Sequence, residues 1–388
     1  MSWNRRRACI GVSAALLLSA CGEGGTSGST DTSGSGTIDV QIWGEEIAAE
    51  GFKFPTGSEV TISDGWEIEF THVLVTIDRV WLSENPDKSP SDQSQTDAVV
   101  AEVTGPWAID LHKEGSANAP GGGSGATALF SIDELNRKGG AALVAGERYA
   151  FSYATSVASD GAQIVNFADD ADAVALYDEM KQKGYSIYYV GKATWKGTDC
   201  QSSDPDYDFS ALPTSVDFKL GFATPSEYLN CQNQENQGDP FEGEEYQRGV
   251  PIKENASSVA QLTFHLEHPF FSSVVHDSLL TFDQLVAPLT AKPAGTPLTM
   301  DDLAGLDPQG FTDGSGAPLP FRVCDGSPLP AAKQRNFDTG SVPVDPKASP
   351  SKALRDYRDF VAYVQSTQGH LNGGEGLCFT RRNYPSPP

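Results

Sequence analysis

Apolar residues alternate with polar ones at Ile38, Val40 and Ile42, and again at Trp66, Ile68 and Phe70 after the turn signal Ser63-Asp64-Gly65. A period of two puts alternate side chains on one face, so each run reads as a half-buried strand. Val73, Val75 and Ile77 then take the opposite parity, which predicts a bulge or a crossing between sheets near His72. Strand-like runs recur at 98–103, 107–111, 149–157, 186–193, 216–222 and 259–268. Many short strands with turn signals between them predict a mainly β body, a β-sandwich-like fold with a few helices, with α+β as the alternative.

Helical spacing interrupts this pattern at few places. Ser131-Ile132-Asp133-Glu134 has the spacing of a capping box, and Asp170 precedes Ala173, Leu176, Tyr177 and Met180, with Gly184 as the stop. Two short helical turns are expected at 281–285 and 299–303. The strongest helical pattern places Leu354, Tyr357, Phe360, Val361 and Val364 on one face, predicting a long C-terminal helix from near Ser351 to Gly369.

The amino terminus follows neither period. Arg5, Arg6 and Arg7 lead into an apolar stretch from Ala8 to Leu18, too short to span a bilayer and of export-signal length. It ends in Leu18-Ser19-Ala20-Cys21, which resembles the lipobox of bacterial lipoprotein precursors. The resemblance implies that Cys21 is lipidated and becomes the mature N-terminus, and that Gly22, where an Asp would signal retention, directs the protein to the outer membrane. The Gly, Ser and Thr run that follows has the composition of a flexible tether. The chain is therefore divided into a signal peptide (1–20), a tether (21–36), a β-sandwich-like region (37–196) and a disulfide-stapled β region with the C-terminal helix (197–388).

Charge narrows the partners. A formal net charge of -25, made more negative by loss of the signal arginines, disfavours nucleic acid and favours cations and basic partners. With Cys9 in the signal and Cys21 assigned to lipid, Cys200, Cys231, Cys324 and Cys378 remain, an even number suited to an oxidising compartment. Pairing within compositional regions predicts Cys200 with Cys231 and Cys324 with Cys378. None forms a C-x-x-C pair, which argues against redox catalysis and a cysteine-rich zinc site.

No G-x-S-x-G elbow, Walker loop, H-E-x-x-H helix or Rossmann fingerprint is present. The histidines are unevenly spread. Of six, His265, His268 and His276 crowd together, and His370 sits in the Gly-rich stretch before Cys378. On a strand, His265 and Glu267 share one face, and a bend at Pro269 would bring His268 to them. Imidazoles with a carboxylate suit zinc or copper, so His265, Glu267, His268, His276 and His370 are the candidate metal ligands. The triplet Asp204, Asp206, Asp208 opens like a calcium loop but has Phe209 and Ser215 where an EF-hand needs Gly and Glu, so calcium is not expected there. His72 and His112 read as structural, and Trp43, Trp66, Trp81, Trp107 and Trp195 as core more than as a carbohydrate cleft.

His265-x-Glu267-His268, Phe270-Phe271, Leu280-x-Phe282-Asp283 and Gly369-His370 before Cys378 are similar to a pattern in uncharacterised bacterial lipoproteins. That likeness covers the carboxyl-terminal part and implies no activity; it implies that the histidines and Cys378 belong to one site or one structural unit. The function expected is binding, of a transition metal or of an envelope protein partner, by a protein held to the membrane through its N-terminal lipid. A metal-dependent hydrolase and a structural envelope component are the alternatives.

Overall fold

The computed structural model describes residues 36–55, 60–118, 120, 124–140, 142–274, 278–307, 313, 315–316, 319–329 and 356–382. Cys21, the signal peptide and nearly all of the tether lie outside the described residues. The strand Thr37–Trp43 runs parallel to Ser257–Phe264, from Thr37 opposite Ser257 to Trp43 opposite Thr263. Its other edge pairs antiparallel with Ser124–Ile132. Gly369–Leu371 and Ala117–Asn118 complete a five-stranded sheet.

The larger sheet is organised by Trp66–Ser83. Its first half pairs with Ile187–Trp195, its second half with Arg148–Thr155, and Val99–Asp110 lies along Leu74 to Ser83. The change of parity has the expected cause: the register slips between Phe70 and His72, so one extra residue turns Val73 and Val75 inward. The apolar faces of the two sheets share one core, in which Ile38, Val40 and Ile42 join Ile68, Phe70 and Val73. Ring contacts tie them together, Trp107 with Phe130 at 4.6 Å and Tyr153 with Phe264 at 6.1 Å. The fold is thus mainly β, with few helices.

Helix signals worked where a side chain could cap. Asp170 accepts from the backbone of Asp172 and Ala173 to start Ala171–Lys183, and Gly184 ends it in the left-handed region at φ 72°. The box expected at Ser131 forms instead at Asp133, with Asn136, because Ser131 and Ile132 are still paired in a strand. Asp356 caps the last helix through the backbone N–H of Asp359, so this helix is Tyr357–Gln365, shorter than expected, and Gly369 already belongs to a strand. The expected start at Ser351 and Leu354 lies outside the described residues.

Two further expectations are corrected. The described residues belong to one compact unit, Gly34–Pro388, and both sheets take strands from either side of position 197. The composition shift there marks loops, not an edge between cores. The disulfides join Cys200 to Cys324 and Cys231 to Cys378. Strand pairing decides this: Gln201–Ser202 pairs with Arg322–Val323, and Ser226–Leu229 pairs with Phe379–Arg382. Sequence proximity could not compete with partners already held side by side.

Non-reducing peptide mapping is expected to recover Cys200 linked to Cys324 and Cys231 linked to Cys378. Reduction should cost about 2–5 kcal/mol of stability, read as a lower Tm. A second prediction concerns His72, whose Nδ1 lies 2.7 Å from Asp110 Oδ2. That hydrogen bond outweighs burial and raises the imidazole above its ordinary 6.5. The folded state favours the charged ring, so its stabilisation is complete below the unfolded value and is lost as pH rises through the raised one. The stability difference between the wild type and His72→Gln should therefore shrink as pH is raised from below the ordinary imidazole value through the raised one. An NMR titration placing His72 at or below its ordinary value would refute the assignment.

Candidate metal centre

Parallel pairing sets the first contact. The pairing of Thr37–Trp43 with Ser257–Phe264 ends with Trp43 opposite Thr263, and two residues further on Glu45 and His265 stand side by side. Glu45 Oε1 is 3.3 Å from His265 Nε2. Glu45 opens the short helix Glu45–Glu50 with φ at 58°, a left-handed conformation that costs a non-glycine residue energy.

The opposite edge of Ser257–Phe264 brings His370. Thr263 faces His370 across the antiparallel ladder, and the N–H of His265 donates to Gln368 O at 2.9 Å. His265 and His370 are then diagonal neighbours on one face. Their rings stack with centroids 4.1 Å apart and planes 14° from parallel.

His268 arrives by a turn. The strand ends at Phe264, and Glu267 takes a helical conformation that opens the 3-10 helix His268–Phe270. The bend comes before Pro269 and has the effect foreseen for it. The His268 ring stands nearly perpendicular to the other two, 5.7 Å from His265 and 5.8 Å from His370. Its Nδ1 is 2.8 Å from Thr367 Oγ1, whose own hydroxyl donates to Val364 O. Thr367 therefore offers lone pairs, Nδ1 is the donor, and the lone pair of the ring lies on Nε2.

His268 and His370 are fully buried and His265 is 7% exposed. One ring nitrogen from each of the three lies within 4.8 Å of the others, and one ligand atom each from Glu45, His265 and Glu267 satisfies the same limit. Donors on a tetrahedral zinc with bonds of roughly 2.0–2.1 Å stand about 3.3 Å apart, so the stacked rings of His265 and His370 would have to turn out of parallel for both in-plane lone pairs to meet one ion.

Charge in this pocket is concentrated. Glu267 Oε1 is 3.1 Å from His265 Nδ1, yet neither ring nitrogen of His265 nor Glu267 Oε2 makes an aligned hydrogen bond. Burial works against a charged His265, but the negative charges of Glu267 and Glu45 prevail and hold the imidazole well above its ordinary value. Burial likewise opposes ionised Glu267, and the positive charge of His265 overcomes it, leaving the carboxyl at about 2. The result is a buried cation between two carboxylates.

The loop after His370 covers the cluster. Asn372 is fixed by Gln261 N on its Oδ1 at 2.7 Å and by its Nδ2 on Asn233 Oδ1 at 3.0 Å, and Gly373 has φ at 129°. A Cβ on Gly374 would sit 2.6 Å from His265 Nε2 and 3.1 Å from Glu45 Oε1. Only glycine lets the backbone pass so close. The Cys231–Cys378 disulfide anchors the end of this loop, the role expected of a bridge from Cys324.

Of the residues singled out in the sequence, His265, Glu267, His268 and His370 come together, and His276 lies outside the described residues. Glu45 was missed. Nothing local marks it, because only the register of two strands far apart in sequence places it beside His265. Asp204 and Asp208 hold their own loop, accepting from Asp206 N and Ser210 N. His112 Nδ1 contacts Ala48 O at 2.7 Å. Compared with protein-family models, curated proteins and solved structures, the chain finds no match.

Proposed function

We propose that the chain is a lipoprotein, tethered through Cys21 to the outer membrane, whose β body binds a transition-metal ion, zinc or copper. The observation that carries the metal reading is the convergence of three buried imidazoles, His265, His268 and His370, with one ring nitrogen of each within 4.8 Å of the others. Imidazole and carboxylate donors favour these metals over magnesium or calcium. Glu267 and Glu45 supply the negative charge that a divalent ion needs, and Thr367 orients His268 from behind as outer-shell partners of metal ligands do. The two triplets share His265, with Glu45 beside its Nε2 and Glu267 beside its Nδ1. The two disulfides fit an oxidising compartment outside the cytoplasm and so agree with export.

Protein purified without metal is expected to take up one zinc or copper ion per chain, measured by calorimetry and elemental analysis, and to gain Tm on loading. A His265→Ala, His268→Ala double variant should bind at least about tenfold more weakly. Gly374→Ala keeps every ligand but places a methyl group against His265, and uptake should fall there too. Imidazoles bind metal only when neutral, so affinity should weaken as pH is lowered. Failure to take up zinc, copper or nickel, or undiminished uptake by the double variant, refutes the metal reading.

The tether has its own test. Cys21→Ser should move the protein from the membrane fraction to the soluble one, and continued membrane attachment would count against lipidation.

A further inference from the structure

A cleft of ≈ 620 Å³ opens beside the Cys200–Cys324 disulfide, lined by Trp195, Tyr207 and Phe209 together with Asp199, Asp204 and Arg322. Its aromatic walls are held in place before any ligand arrives. Trp195 Nε1 donates to Asp64 O at 2.9 Å, and Tyr207 Oη donates to Asp313 Oδ2 at 2.8 Å while its ring packs edge-on against Phe209 at 4.8 Å. The Arg322 guanidinium lies 4.5 Å from the Trp195 ring centre and 4.6 Å from that of Phe209. Buried Asp283 fixes Arg322 in turn, accepting from Nε at 3.0 Å and from Nη2 at 2.6 Å. Rigid walls of this kind spare a ligand the cost of ordering them.

Charge then selects the ligand class. Arg322 already takes the place a cation would occupy against the faces of Trp195 and Phe209, so a cationic ligand would meet a like charge there. Exposed Asp199 and Asp204 repel anions. What suits the cleft is an uncharged molecule with a C–H face to lie on the Tyr207 ring and hydroxyls to donate to carboxylates. We infer that this cleft binds a neutral saccharide. The inference is independent of the metal centre, none of whose residues lines the cleft.

The test titrates the full exported chain with maltohexaose, cellohexaose, xylohexaose and chitohexaose, followed by tryptophan fluorescence and calorimetry. At least one should saturate with a Kd of about 1 mM or tighter. Tyr207→Ala should weaken that binding about tenfold, whereas Tyr207→Phe, which keeps the ring, should bind like the wild type. Repeating the titration with a metal chelator present should leave it unchanged, which separates this site from the metal reading. No binding by any of the four sugars, saturation by tetramethylammonium in their place, or equal binding by Tyr207→Ala overturns the proposal.

Discussion

Everything at the His265 cluster depends on the parallel pairing of Thr37–Trp43 with Ser257–Phe264. Parallel neighbours cannot be joined by a tight hairpin, and here the connection between them contains most of the larger sheet. Buried side chains fix the register: Gln41 Nε2 donates to Gln261 Oε1 at 3.1 Å across the pair. A slip of one residue would turn every inward side chain of Thr37–Trp43 outward, including Ile38, Val40 and Ile42. The same slip would part Glu45 from His265. Core packing and site geometry are therefore set by one alignment.

The sequence exposed those parts of the fold whose cause is local. The period of two, the parity change at His72 and the Asp170 cap each depend on a few consecutive residues, and each has its counterpart in the structure. The clustering of His265, Glu267 and His268 was visible for the same reason. Long-range alignment was not. The disulfide partners and Glu45 follow from strands that meet only when the sheets are assembled, and no spacing in the chain encodes that meeting. The cap expected at Ser131 failed differently, because a ladder partner claimed Ser131 and Ile132 before a helix could start.

The energetics of the His265 cluster differ from those of an ordinary ion pair. Two carboxylates and an imidazole withdrawn from water pay a desolvation cost, and here their mutual attraction exceeds it, since His265 is held above and Glu267 below its ordinary value. Removing one member of such a set typically costs about 3–5 kcal/mol, since the remainder is left uncompensated. A surface pair such as Lys53 with Glu69, at 3.3 Å, is exposed on both sides and contributes little.

The donors come from position 45, from 265 to 268 and from 370, and this spacing governs when the cluster can exist. No partial chain holds it. A chain emerging from the ribosome has Glu45 early, but it gains His370 only after the Gly369–Leu371 segment has been made and has docked on the edge of Ser257–Phe264. The covering loop is then anchored by the Cys231–Cys378 bond, which needs an oxidising environment to form. Completion of the cluster is in this way tied to the last steps of folding, and a chain that has not yet formed that bond leaves the covering loop unanchored.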